Sequence, residues 1–217
     1  NNSRNDTRNY NYRVGADYFL RKNHTIGFLV GGSIFTADNT SYNRITLANA
    51  NTPATIDSIL VANNTADNHR QQQTYNVNYR YDNNKGRSFN VDLDYGKYQN
   101  ESKRYQPNRY FNAAEDEVLT EIINRFDTPT DIDIYTVQVD YEDDLLGGKM
   151  GFGSKFSQVV SDNTFLFYIE ESGVPVLSDR KSNLFNYDER VYAGYMSYAR
   201  PLGKKWAMSA GLRAEQT

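Results

Sequence analysis

Apolar and polar side chains alternate along much of this chain, and that alternation limits the fold more than any other feature. In the last such stretch, Trp206, Met208 and Leu212 fall on one side of an extended chain. Ser209 and Arg213 fall on the other side. A repeat of two residues is typical of a β-strand with one apolar face and one polar face. The pattern therefore predicts amphipathic strands.

The same alternation predicts eight strands. They cover about residues 10–20, 25–35, 72–82, 87–98, 131–142, 149–169, 183–199 and 205–217, and the sixth is expected to break near residues 161–163. Short turns are predicted at about residues 21–24, 83–86, 143–148 and 200–204. Asn83-Asn84-Lys85-Gly86 is the strongest of these, because Asn and Gly tolerate the positive φ that a hairpin turn needs.

Three longer polar connections separate these hairpins, at about residues 37–69, 103–130 and 170–182. The first holds two short extended segments, at residues 44–47 and 56–62, which could be outer extensions of the flanking strands. The apolar spacing within residues 113–125 predicts a short surface helix. All five prolines fall in predicted turns or connections, which agrees with these boundaries because proline removes a ladder donor. The chain should therefore form an all-β, antiparallel, up-and-down meander. Alternation of short turns with long connections is typical of transmembrane β-barrels.

The composition excludes several functions. Lys and Arg number 24 against 27 Asp and Glu, so no basic surface for nucleic acid is predicted. The chain has no Cys, which rules out disulfides, thiol chemistry and Cys-ligated metal sites. Its two histidines, His24 and His69, lie in a predicted turn and a predicted loop. We therefore predict no catalytic residues, no metal ligands, no cofactor and no enzyme activity.

Alternation by itself fits two architectures. In a soluble β-sandwich, which would serve in binding or adhesion, the apolar face is the core. In a membrane barrel, the apolar face meets lipid and the charged face lines a wet or plugged lumen. The strands reach the roughly 9–11 residues needed to cross a bilayer, which favours the barrel. So do aromatic residues near strand ends, where interfacial girdles lie: Tyr10, Tyr12, Tyr18, Phe35, Tyr81, Tyr95, Tyr98, Tyr135, Tyr141 and Tyr198.

A third interpretation is a glycan hydrolase. Asp92 and Asp94 share one strand face, as the acid and base of a glycosidase would. On a wet barrel face, such carboxylates more often form ion pairs. Arg213 and Glu215 are likewise predicted to point into a lumen or to pair with neighbouring strands. The alternation also places Arg190 on this polar face.

Three blocks near the end of the chain carry a family resemblance: residues 183–195, Leu202-Gly-Lys-Lys-Trp206 and Gly211-Leu-Arg-Ala-Glu-Gln-Thr217. They resemble the outer-membrane β-barrel family of TonB-dependent receptors found in Bacteroidetes. The resemblance implies a barrel of about 22 strands with an N-terminal plug, which imports nutrients with energy from TonB. Residues 1–217 are then expected to be a single barrel segment, a fragment without the plug.

The resemblance also implies the surroundings of the chain. The expected location is the bacterial outer membrane, and the expected partners are outer-membrane lipid, the plug and TonB. The substrate would be an oligosaccharide or another small molecule such as a siderophore. Aromatic faces stack on sugars or chelates, so the predicted substrate-binding residues are aromatic or polar residues of the long connections: Tyr42, Arg44, Tyr105, Arg109, Tyr110 and Phe111.

Overall fold

The computed structural model describes residues 2–50, 53, 55–171 and 173–217, and it joins ten strands in one antiparallel sheet. The strands are β1 (Asn2–Arg21), β2 (His24–Ala48), β3 (Ile56–Asp82), β4 (Ser88–Asn112), β5 (Val118–Asp127), β6 (Thr130–Leu145), β7 (Gly148–Glu171), β8 (Val174–Leu177), β9 (Asn183–Pro201) and β10 (Ala207–Gln216). No helix occurs in the described residues, and so none that could cross a membrane.

The ten strands follow eight paths across the sheet. β5 and β6 pair with β4 in a single register, since Asp127 lies opposite Lys103 and Thr130 lies opposite Asn100. Only residues 128 and 129 interrupt this path. β8 and β9 both pair with β7, although the loop at residues 178–182 shifts their register. The predicted eight-strand antiparallel meander is confirmed.

Two of the predicted long connections are mostly strand, so their prediction as connections is wrong. The extended segments predicted at residues 44–47 and 56–62 are confirmed as outer extensions of strands. β2 continues to Ala48 and β3 begins at Ile56, so the region 37–69 is largely a paired hairpin. β4 likewise continues to Asn112. The polar composition of these segments conceals the strands, because a strand with water on both faces has no apolar alternation. Four strands reach 24–27 residues, or about 80 Å for a strand of 25 residues.

The predicted surface helix at residues 113–125 is also wrong, because a turn at residues 113–117 leads into β5 there. Ile122 and Ile123 are β-branched and pair with Asn108 and Pro107 of β4. Pairing with a neighbouring strand outweighs the helical spacing of the apolar residues. The predicted break near residues 161–163 is absent too, since β7 runs unbroken from Gly148 to Glu171.

The prediction that every proline falls outside strands is wrong, because Pro107 lies inside β4, Pro175 lies in β8 and Pro201 ends β9. The missing N–H of Pro107 coincides with a gap in the β3–β4 ladder. Pairing stops at Ala62 opposite Asn108 and resumes in the same register at Thr65 opposite Tyr105. The strand therefore tolerates proline by leaving two residue pairs out of the ladder rather than by ending.

The sheet is a single layer. Strands that contact one another closely are neighbours in the sheet, and no second sheet faces them within the described residues. The buried apolar residues are few: Ala37, Ile59, Ala62, Ile123, Phe167 and Ala193. A β-sandwich needs two facing sheets, so the soluble-sandwich alternative does not describe this part of the chain. β1 and β10 lie at opposite edges and do not pair with each other.

Tyr195 and Gly153 fix the packing of β7 against β9. The two residues lie directly opposite each other, and a Cβ on Gly153 would overlap the Tyr195 ring. The Tyr195 hydroxyl donates to Asp140 of β6 at 2.5 Å and accepts from the Gln138 amide at 3.2 Å. The ring thus covers the glycine and links three strands, as cross-strand aromatic–glycine pairs do in other sheets.

Replacing Gly153 by Ala should destabilise the folded protein by about 1–3 kcal/mol, because the new methyl group displaces the Tyr195 ring. Gly194→Ala is the matched control, since a Cβ at Gly194 meets no atom within 4 Å. Urea unfolding of the full-length protein in lipid vesicles measures both variants. Equal unfolding midpoints for Gly153→Ala and the unmodified protein would contradict this account of the contact.

Candidate functional site

One face of the sheet carries a continuous apolar surface. The register places Phe28, Val77, Leu93, Val137 and Phe156 in one row across five strands. Val77, Leu93 and Val137 remain 40%, 45% and 39% exposed. The apolar belt, as this surface is called below, consists of alternate residues within 10–20, 26–34, 75–81, 89–95, 135–141, 150–156, 192–198 and 206–212. So large an uncovered apolar surface indicates contact with lipid or protein.

The apolar belt crosses the rows of paired residues obliquely. Tyr10 and Ile34 belong to the belt, but the same row continues with Gln71 and Gln99 on β3 and β4. On β10 the belt lies nearest the short turn. From each strand to the next, the belt shifts by about one residue relative to the rows of paired residues. This shift corresponds to a tilt of roughly 35° between the strands and the barrel axis. A horizontal apolar band on strands tilted in this way is the arrangement found in transmembrane barrels.

Three tyrosines mark the boundary of the apolar belt on the side of the long strand extensions. Tyr75, Tyr95 and Tyr135 stack in one row with ring centroids 5.9 and 5.1 Å apart. The Tyr95 hydroxyl donates to Asp133 at 2.6 Å, beyond the belt. The rings lie within the belt and the hydroxyls point toward the polar residues beyond it, which suits a lipid–water interface. Of the predicted girdle, Phe35 lies on the opposite face, as does Tyr98.

The opposite face, called the polar face below, holds a network of amides and charges. Asn76 donates to Asp94 at 2.7 Å and accepts from Asn78 at 2.8 Å. Arg213 donates twice to Glu215, at 3.0 and 2.7 Å. The predicted polar-face position of Arg213 and Glu215 agrees with the register.

Arg190 is an exception to the predicted polar face. It was grouped with these charges from the sequence, but it lies opposite Gln158 on the face of the apolar belt and pairs with Asp188 at 3.3 Å. Its position beyond the belt explains the charge, because a lipid-facing arginine is tolerated only outside the apolar band.

Asp92 and Asp94 share the polar face, as the hydrolase interpretation requires. Asp94 is held by Asn76, and Asp92 lies opposite Asn78 and Gln138. A hydrolytic role for this pair stays a hypothesis. Across the described ranges, no three His, Asp or Glu side chains are grouped so that they could hold a metal ion.

The six predicted substrate-binding residues lie in strand extensions beyond the apolar belt, not in loops. Tyr42 and Arg44 belong to β2, and the other four belong to β4. Five of them lie on the face of the apolar belt: Tyr42, Arg44, Tyr105, Arg109 and Phe111. Tyr110 alone lies on the polar face, opposite Leu60. The structure thus divides the six between two faces, and their role in substrate binding stays a prediction.

Ion pairs join these extensions. Arg44 of β2 binds Glu115 at 2.7 Å, and Arg109 of β4 binds Glu121 of β5 at 2.5 Å. The hydrogen bond from Arg44 holds the pKa of Glu115 below its usual range, and the same bond raises the pKa of Arg44. Glu115 has a φ of 62°, a left-handed conformation unusual for a residue other than glycine. The ion pair therefore ties this turn to β2.

The short turn between β3 and β4, at residues 83–86, lies at the other end of the sheet and is fixed by a backbone hydrogen bond. The N–H of Asn84 donates to the Asp82 carboxylate at 2.7 Å. This bond, with a second from Arg80, holds the pKa of Asp82 below its ordinary value. Asn84 and Gly86 adopt φ of 55° and 97°, as the turn prediction required of them.

An aromatic cluster on the polar face was not found from the sequence. The Phe126 ring lies 5.0 Å from that of Phe167 and 6.0 Å from that of Phe165. Phe185 and Tyr187 of β9 lie beside them on the same face. Phe185 and Tyr187 alternate with Leu184, so the sequence does place both aromatic residues on the face opposite Leu184. Aromatic residues are usually assigned to the apolar face of a strand, which hides this signal.

A family model described as "Outer membrane protein beta-barrel family" matches residues 80–217, which is more than half of the chain. No curated protein matches. Among solved structures, the chain is similar to the translocator domain of the autotransporter NalP from Neisseria meningitidis, with 11% identity and a TM-score of 0.33. That alignment covers 96% of this chain and 66% of the other, and the likeness is too slight to carry a conclusion.

Val137→Arg should destabilise the protein in a bilayer by about 2–4 kcal/mol, because it places a charge in the middle of the apolar belt. Thr136→Arg, one residue away on the polar face, should cost less than about 1 kcal/mol. Equilibrium unfolding of the full-length protein from lipid vesicles measures both values. Similar costs at the two positions would show that the belt does not face lipid.

Proposed function

Since this chain belongs to the outer membrane protein β-barrel family and hence to the bacterial outer membrane, we propose that it forms part of the barrel wall of a TonB-dependent transporter for nutrients. The apolar belt would meet outer-membrane lipid. The polar face would line a lumen that holds a plug domain, and TonB would supply the energy. Glycans, siderophores or similar small molecules would be the substrates, and the wall itself would perform no catalysis.

The observation that carries this proposal is the uncovered polar face of a sheet that does not close. In a closed barrel of eight strands, inward side chains fill the interior. Here eight strand paths leave β1 and β10 apart within the described part of the chain. Gln138, Asp140 and Arg213 lie on a face that no other layer covers. A wide barrel with further strands and a wet or plugged lumen accounts for such a face.

Two features support the TonB-dependent type. The blocks that resemble TonB-dependent receptors, at residues 183–195, 202–206 and 211–217, all fall within the family match at residues 80–217. The strands also continue far beyond the apolar belt on one side only. Such extensions raise the wall above the membrane and enlarge the opening through which a substrate would enter.

Deleting TonB from cells that produce the full-length protein should abolish substrate uptake and leave binding at the cell surface intact, because only transport would draw on TonB. Uptake of radiolabelled oligosaccharides and of ferric siderophores, measured with and without TonB, tests this. A strain that lacks the transporter supplies the background. Uptake through the transporter that persists without TonB would contradict the proposed function.

A further inference from the structure

We propose that Phe185 and Tyr187 form an aromatic platform on the polar face that binds a neutral oligosaccharide. This inference rests on the proposed function, because it names the substrate class of the same lumen. The platform is distinct from the six residues predicted from the sequence, which lie on β2 and β4.

The platform has a defined place in the sheet. Phe185 lies opposite Asn163 of β7, and Tyr187 lies opposite Ser161. The intervening and preceding residues of β9 point to the other face, which places both rings on the polar face. Tyr192, where the apolar belt begins on this strand, lies closer to the short turns. The platform is therefore beyond the belt, on the side that in barrels of this kind faces the outside of the cell.

The two rings lie nearly parallel and are accessible to solvent. Their centroids are 6.5 Å apart and their planes differ by 22°. Phe185 is 56% exposed and Tyr187 is 41% exposed, on a part of β9 that pairs with β7 alone within the described residues, and Phe165 of β7 extends the surface at 36%. Exposed aromatic side chains that lie together on an otherwise polar face indicate a binding site, since exposure of apolar rings to water is unfavourable.

The surface beside the platform is held rigidly. Phe167 is buried to 6% exposure, and its ring contacts Phe126 on one side and the Lys181 ammonium, 4.4 Å away, on another. Its backbone N–H donates to the Ser182 hydroxyl at 3.0 Å, which in turn donates to the Ser178 carbonyl at 2.8 Å. These bonds fix the loop between β8 and β9, at the end of which the platform begins. A rigid loop at the start of the platform limits the conformational entropy that the site loses when a ligand binds.

The surrounding polar groups select the ligand. Aromatic faces carry negative charge density and attract the C–H groups of a sugar ring. Glu189 is two residues from Tyr187 on the same face of β9, and the Asn163 amide donates to Ser161 at 2.9 Å, so acceptors and donors for sugar hydroxyls stand beside the rings. The carboxylate disfavours an anionic chelate by charge repulsion. Flat rings flanked by a carboxylate and an amide therefore suit a neutral oligosaccharide.

The test is calorimetric titration of the full-length protein in detergent with maltohexaose, cellohexaose and xylohexaose as probes. At least one probe should bind. Phe185→Ala and Tyr187→Ala should each weaken that binding about tenfold or more, because each removes a stacking ring. Tyr187→Phe keeps the ring and should retain most of the affinity.

Leu184→Ala is the matched control, because Leu184 is adjacent in sequence, 73% exposed and on the other face. It should bind as the unmodified protein does. Phe185→Leu keeps apolar volume without a flat ring, so its loss of affinity, with an unchanged unfolding midpoint, separates stacking from packing.

Three results would overturn the inference: no probe binds, the alanine variants bind with unchanged affinity, or Leu184→Ala weakens binding as much as they do. If the alanine variants lower the unfolding midpoint but leave affinity intact, the rings serve packing and not ligand binding. If uptake still depends on TonB alongside any of these results, the proposed transport function is supported and only the proposed binding site is contradicted.

Discussion

Backbone hydrogen bonding between neighbouring strands is the interaction on which this structure depends. The described chain has one layer and only a few buried apolar residues, so no packed core holds the strands together. Paired ladders satisfy the peptide groups instead, and a bilayer requires that satisfaction because it offers no water. Even where Pro107 removes a donor, the register resumes at once. Residues 128 and 129 likewise interrupt a path without shifting its register.

Once the ladders are fixed, each side chain can lie on only one of two faces of the sheet. One face carries the apolar belt, and the other carries amides and charges. The apolar belt crosses the register obliquely, as tilted strands require if the band is to stay level with a membrane. On the polar face, contacts such as Tyr195 over Gly153 join strands through side chains. Beyond the belt, ion pairs such as Arg44 with Glu115 take over, since both faces there meet water. One sheet thus presents three environments along its strands.

The strands within the apolar belt could be predicted from the sequence, because lipid on one face and water on the other impose an alternation of two. Only part of the extensions could be predicted, at residues 44–47 and 56–62, because residues 38–41 are all polar and show no apolar alternation. Val118, Ile122 and Ile123 showed helical spacing, but pairing with β4 decided their structure. The positions of the predicted substrate-binding residues were also decided by strand pairing. Candidates such as Tyr42 were chosen as loop residues, and only the register shows which face each one occupies. Phe185 was overlooked because its face is set by a neighbour, Asn163, that lies 22 positions away in the chain.

The central claim is that one face of this sheet meets lipid while the other meets an aqueous lumen. Residues 1–217 contain no Cys, so single cysteines at residues 75–80 of β3 test it directly in the full-length protein in native membranes, once any cysteine outside this segment is replaced by Ser. A membrane-impermeant maleimide should label residues 76, 78 and 80 strongly and residues 75, 77 and 79 weakly. A spin label at residue 75, 77 or 79 should relax faster in the presence of lipid-soluble oxygen. Labelling that shows no alternation, or the opposite alternation, would contradict the account.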